Sequence, residues 1–471
     1  MSDVNVIAPR VRAVENMVAR AQAATSGKVT QGACLTCHVK LWLSFFFDGT
    51  GNQKDAHFPK KHTNVAALFD AHLDEPAEGS YRFYYEGVGM PFEFKDRVTT
   101  RTVGTRAGVR TYEEHGYKEG ESSWNKAFGS AMDKRLEKAM FDFQMAIDEW
   151  RRKRRVDEIN IAVFGFSRGS ATARAFVHWF ASHSRVARAG SKLIFDGVPV
   201  NVKFLGVFDT VESVGSPGNN DEPELIKTSV PAYVEKVFHV IAAHELRHAF
   251  PITVLGNNRY RQVVLPGAHA DIGGGYADRE QGRSNALPRI GLLQMLDEAR
   301  GANLKLMSLG EMKGDTNAWD AKLRASFEVQ QATMDAFVGY MRHVDKPAGN
   351  LVDVFASHCS LYQKWIDAGL AIEDVDSKLA AERGRSKPGE RVNESLVQRH
   401  LLSNLARTPR GRGAGIAGGP QRGAVPPEVE SFFENYTHDS FQHFSLSGGT
   451  MQSDFTNADY YKLRTIKQPK A

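Results

Sequence analysis

Apolar residues recur along this chain in two alternating rhythms. Short unbroken runs, Val39–Phe47 (VKLWLSFFF), Tyr81–Glu86, Ile159–Phe164, Val202–Phe208 and Arg261–Leu265, have the length of strands buried on both faces. Between them lie stretches with helical spacing, Asn64–Leu73, Ala131–Arg155, Ala171–Phe180, Val237–Phe250 and Ala286–Arg300. In Ala131–Arg155 the residues Met132, Leu136, Met140, Phe143, Ile147 and Trp150 fall on one face. Strands alternating with helices predict an α/β class, a doubly wound and mostly parallel sheet. Residues 1–37 read as a polar, partly helical leader, and 38–300 as the α/β core, interrupted by a Gly- and charge-rich insertion at about 90–130. Residues 301–406 read as a helical cap or accessory region. Residues 407–427 read as a Gly/Pro/Arg-rich linker, and 428–471 as a segment packing on the core.

Composition narrows the class. With 42% hydrophobic, 24% charged and 10% aromatic residues, the chain is neither collagenous, coiled-coil nor wholly disordered. A net charge of +5, from 60 Lys and Arg against 55 Asp and Glu, gives no argument for a nucleic-acid partner. The basic run Arg151–Arg155 is read as the last turn of a helix, where cations complement the dipole. Cys34, Cys37 and Cys359 are too few for a disulfide framework or a four-cysteine zinc site. The first residues lack an apolar signal region and no run is long enough to span a bilayer, so a cytoplasmic origin is expected.

One short pattern carries chemistry. Gly165-Phe166-Ser167-Arg168-Gly169 stands between a strand and a helix, the context of a nucleophile elbow. Small residues on both sides let strand and helix approach while the serine is pushed out above the sheet. A serine hydroxyl needs a base and an orienting carboxylate, which in α/β-hydrolases follow in the order Ser, Asp or Glu, His. Asp209, at the end of VKFLGVF, and His269, in the Gly-rich loop GAHADIGGGY, fill those places. The oxyanion would be held by the N–H of Arg168 and by that of Gly49 or Thr50 in the loop DGTGN, with Asp48 and Asp271 supporting their loops. His438 is the fallback base. A competing motif, His244-Glu245-Leu246-Arg247-His248, matches the zinc pattern H-E-x-x-H on an expected helix, but Arg247 beside the site, Pro251, and the lack of a third histidine at the right spacing speak against a metal. No cofactor is expected. A binding module that kept the fold without turnover is the non-enzymatic alternative.

FDGTGN, GFSRGS, FDTVES and GAHADIGGGY, in this order over residues 38–300, resemble an α/β-hydrolase family of bacterial and fungal proteins. Its bacterial members include the first family of type VI secretion lipase effectors. The resemblance implies Ser167, Asp209 and His269 as a triad, with Ser170 in place of the usual Ala. It also implies a phospholipase A acting on the membrane of a target cell. A spike or adaptor protein would deliver it, and a cognate immunity protein would protect the producer.

Overall fold

Six strands pair side by side, all parallel: His38–Phe47 (β1), Ser80–Tyr85 (β2), Arg155–Phe166 (β3), Val198–Phe208 (β4), Val234–Ala242 (β5) and Arg261–Leu265 (β6). Their spatial order is β2-β1-β3-β4-β5-β6. A short antiparallel hairpin, Val186–Ala189 with Lys192–Phe195, extends the sheet along the start of β4. This computed structural model describes residues 4–23, 38–57, 61–98, 103–105, 108–110, 114–119, 128–212, 226–247, 249–312, 318–368, 424–440 and 463–470. Parallel strands need a crossover of about a dozen residues or more, usually a helix, and helices lie on both faces; the described residues between β5 and β6 instead form no helix.

Alternate residues of each strand serve opposite faces. Leu41, Leu43, Phe45 and Phe47 of β1, with Val163 and Val207, pack against Phe143 of the helix Phe128–Arg151 and Phe176 of the helix Arg168–Ser182. Phe46, Phe164, Phe204 and Val240 face the other way, onto Leu68 of Asn64–Ala71 and Leu292 and Leu296 of Pro288–Arg300. Each buried phenylalanine contributes roughly 2–3 kcal/mol by leaving water, so register follows from the alternation. That register aligns the strand ends: Phe47 pairs with Gly165, Phe166 with Phe208, and Phe208 with Val240. Strand order reverses between β1 and β3, and a crevice at such a switch point, beyond the carboxyl ends of the strands, is where open α/β sheets bind ligands.

One expectation fails. Val237–Phe250 is not a helix: Val234–Ala242 is strand β5, and the chain then leaves the sheet in irregular turns. VEKVFHVIA is a short run buried on both faces, and such a run has no periodicity that distinguishes strand from helix. Within the expected helical cap, 301–406, lie Ala318–Phe327, Gln331–Met341 and Leu351–Ala368; residues 313–317 and 369–406 lie outside the described residues. Within the insertion, Phe92–Val98 pairs antiparallel with Glu114–Glu119. The linker at 407–427 lies outside the described residues as far as 423. At the basic run the helix ends on Arg151, which pairs with Asp196 at 2.8 Å, while Lys153 pairs with Glu149 at 2.7 Å. Residues 4–23 pack along the sheet edge, with Val4, Val6 and Val14 buried and Ile7 bridging Val263. The helix Pro427–Asn435 packs on Gln331–Met341, and Ile466–Lys467 pairs parallel with Ile252–Thr253.

Candidate active site

Ser167 stands between β3 and the helix Arg168–Ser182 with φ 57° and ψ −126°, a conformation that a non-glycine residue holds only when its surroundings force it. The forcing is visible in the glycines. A Cβ on Gly165 would lie 2.4 Å from the Gly169 carbonyl, and one on Gly169 would lie 2.3 Å from that of Phe47, so strand, helix and β1 meet backbone to backbone. The Ser167 N–H donates to the Phe208 carbonyl at 3.0 Å, and its own carbonyl accepts from Val211 at 3.3 Å. Those bonds tie the elbow to both sides of Asp209.

Asp209 follows the last residue of β4 and has no exposure; φ is 44°. Its Oδ2 lies 2.5 Å from His269 Nδ1. Its Oδ1 accepts from the Ala242 N–H at 2.8 Å. Arg464 supplies a two-pronged partner, Nη1 to Oδ1 at 2.6 Å and Nη2 to Oδ2 at 2.9 Å. Burial alone would raise this carboxyl's pKa, but the Arg464 charge and the His269 hydrogen bond hold it well below the ordinary range. His269 begins the short helix His269–Gly273 and is 6% exposed between the rings of Phe166 and Phe250, centroids 4.7 and 5.0 Å away. Burial pushes its pKa down against the pull of Asp209, which favours the neutral imidazole that a general base must be. Ser167 is 4% exposed and makes no hydrogen bond to His269.

The DGTGN loop sits beside the elbow. Asp48 accepts from the Gly49 N–H at 2.7 Å, Thr63 at 2.8 Å and Tyr84 at 2.6 Å, while burial still pushes its pKa up to about 6. The Gly49 N–H is thereby committed to Asp48, so of the two candidate donors read from sequence Thr50 is the one not bonded to Asp48. Thr50 accepts from the Arg168 guanidinium at 3.2 Å. Asp271 accepts from the Ala268 and His438 N–H groups at 3.0 and 2.9 Å, and its Oδ1 lies 2.6 Å from His438 Nδ1. His438 therefore belongs to a second buried pair, stacked on Tyr276, and not to Asp209.

The zinc pattern dissolves in the same region. His244 and Glu245 follow β5 in irregular chain, so no helix face carries them. His244 Nδ1 accepts from the Gly267 N–H at 2.9 Å and its Nε2 lies 3.3 Å from the Tyr340 hydroxyl, while Arg247 grips Glu245 in two bonds of 2.9 and 2.8 Å. His248 lies outside the described residues. Among the described residues no group of three His, Cys, Asp or Glu is placed to hold a metal ion. A cleft of about 1470 Å³, lined by Arg279, Arg289, Glu428 and Tyr436 among others, contains none of the residues singled out from sequence. Arg464 and the Glu245–Arg247 pair were missed by sequence reasoning. Arg464 lies 255 positions from its partner, and no local pattern marks such a contact.

A strained serine at the switch point of a parallel sheet, with backbone bonds on either side of the aspartate of a buried Asp–His pair, fits a hydrolase-like α/β domain. The model for the catalytic domain of type VI secretion system phospholipase effectors of the Tle1-like family matches residues 43–194 and 181–298, more than half of the chain, and the chain belongs to that family. Among solved structures, it is similar to an uncharacterized protein from Pseudomonas aeruginosa, with 18% identity and a TM-score of 0.57 over 91% of this chain and 80% of that one. A second, the Tle1 effector bound to the VgrG spike of the type 6 secretion system, shares 16% identity at a TM-score of 0.42 over 72% of this chain and 88% of that one. Among curated proteins none matches the chain in sequence.

Proposed function

We propose that the chain is a serine-dependent phospholipase A on an α/β-hydrolase fold, with Ser167, His269 and Asp209 as its triad. His269 takes the proton from Ser167 as the hydroxyl attacks an acyl ester of a glycerophospholipid, and Asp209 keeps the imidazole in the right tautomer and stabilises the imidazolium. The N–H groups of Arg168 and Thr50 hold the oxyanion, each such donor being worth about 10²–10³-fold in rate. His269 then protonates the departing lysolipid, and water, activated by the same imidazole, releases the fatty acid from Ser167. The observation that carries this reading is the 2.5 Å Asp209–His269 pair beside a serine held at φ 57°, in a chain of a phospholipase effector family.

Family membership supports export by a type VI machine, with a spike or adaptor protein as carrier, the target-cell membrane as substrate surface and an immunity protein guarding the producer. Among the described residues no helix is long and apolar enough to cross a membrane, so a substrate surface is met from outside the bilayer in this reading. The test is fatty-acid release from mixed phospholipid vesicles by the purified protein. Ser167→Ala abolishes release and a chelator leaves it unchanged. Release that survives Ser167→Ala refutes the serine mechanism.

A further inference from the structure

Asp209 is held by more than a triad aspartate needs. Four donors converge on its two oxygens: Ala242 N–H and Arg464 Nη1 on Oδ1, Arg464 Nη2 and His269 Nδ1 on Oδ2. The third guanidinium nitrogen of Arg464, Nε, donates to the Phe250 carbonyl at 2.9 Å, so the fork is fixed at its base as well as its tips. Both side chains of the ion pair are out of water, 1% exposed for Arg464 and 0% for Asp209. A buried ion pair is weak evidence for net stability, because desolvation of both charges offsets their attraction. Its geometry has a more specific consequence. The plane of the carboxylate is locked with one oxygen against the imidazole, and a planar five-donor fork achieves this where a point charge does not.

The arginine arrives on a segment that is itself anchored. Ile252 N–H donates to the Thr465 carbonyl at 2.9 Å and Val254 N–H to the Lys467 carbonyl at 3.1 Å. Lys470 N–H donates to Thr228 Oγ1 at 3.0 Å. Phe250, whose carbonyl receives Arg464, places its ring against His269.

We propose that Arg464 is a positioning residue of the catalytic centre, and that segment 463–470 completes the active site by orienting Asp209 and balancing its charge. This rests on the triad reading above. Two effects follow. The fork holds Asp209 Oδ2 toward Nδ1, and the guanidinium partly neutralises the carboxylate, so the imidazolium of His269 is less stabilised than beside a bare aspartate. The other charged and titratable groups around the pair are Glu245, whose Oε2 accepts from the His269 N–H at 3.4 Å, together with Arg247 and His239.

The experiment compares wild type, Arg464→Gln, Arg464→Lys and Ser167→Ala on a soluble short-chain ester, reading kcat, KM, the pH profile and the thermal midpoint. Arg464→Gln lowers kcat at least about tenfold with KM within about twofold, and moves the acidic limb of kcat/KM up by about half to one pH unit. Arg464→Lys keeps the charge without the fork: the limb stays in place and kcat falls about fivefold or more. If Arg464→Gln does not fold, Arg464→Lys decides alone: reduced kcat at unchanged KM supports the role, and wild-type kcat overturns it. A folded Arg464→Gln with the wild-type pH profile and kcat also overturns it. Activity remaining in Ser167→Ala would instead refute the serine reading, whatever the arginine variants do.

Discussion

Asp48 and Asp209 each follow the last residue of a parallel strand and each is buried, yet their surroundings drive them apart. Burial outweighs the Tyr84, Thr63 and Gly49 donors at Asp48, which retains its proton up to about pH 6, whereas Arg464 and His269 keep Asp209 ionised. The ionised one is the one that faces the imidazole. Since burial lowers the His269 pKa below the imidazole value of 6.5 despite Asp209, this imidazole, the proposed base, stays neutral into mildly acidic solution. The acidic limb of kcat/KM on a soluble ester therefore has its midpoint below 6.5, and a midpoint above that value would contradict this environment for His269. The strained turn at Ser167 and the pairing of Asp209 with His269 were legible because elbow, strand end and Gly-rich loop each leave a local mark in the sequence. Arg464 and the loss of the Gly49 N–H to Asp48 were not, because both depend on side-chain geometry that spacing does not encode.

At the scale of elements, the elbow depends on three backbones meeting without side chains between them. Gly169→Ala places a Cβ 2.3 Å from the Phe47 carbonyl and 2.4 Å from that of Asp48, neither of which can move without disturbing β1. Overpacking of this kind costs about 1–3 kcal/mol, so the variant loses about one to three degrees in thermal midpoint and most of its ester hydrolysis. A folded Gly169→Ala with wild-type activity and midpoint would show that the elbow tolerates more space than this geometry allows. Five of the six strands and the helices that flank them could be read from apolar runs and periodicity. β5 could not, because Val237, Phe238, Val240 and Ile241 are buried on both faces and the polar His239 is enclosed with them, a pattern that a buried helix would share. That single misreading also put His244 and Glu245 on a helix face and gave the zinc motif its apparent geometry.

For the whole molecule, buried histidines set the response to acid. Burial lowers the pKa of His62, His72 and His244 to about 4 and of His239 to about 3. Below pH 6.5 the unfolded chain takes up protons that these native groups refuse, so stability falls as pH drops. Asp48 and Asp70, raised to about 6 by burial, oppose this between the ordinary carboxyl value of 3.8 and 6, since the native state keeps protons that the unfolded state releases. His57, His178, His183, His269 and His358 are lowered too, and Glu86, Asp133 and Asp142 raised, so lowered histidines outnumber raised carboxyls and leave a net uptake by the unfolded state, worth about 1.4 kcal/mol per pH unit for each proton. The thermal midpoint thus declines from pH 7 to pH 5, and a flat or rising midpoint by scanning calorimetry would refute this balance. The proposed function rests on one serine, activated where β3 meets its helix, doing the chemistry of a phospholipase effector. It is tested most directly by treating the folded protein with a fluorophosphonate and mapping the adduct by mass spectrometry. One adduct is expected, on Ser167, appearing in step with loss of fatty-acid release and absent in Ser167→Ala; a protein that releases fatty acid while Ser167 stays unlabelled, or that is inactivated through another residue, would contradict a nucleophile at this elbow.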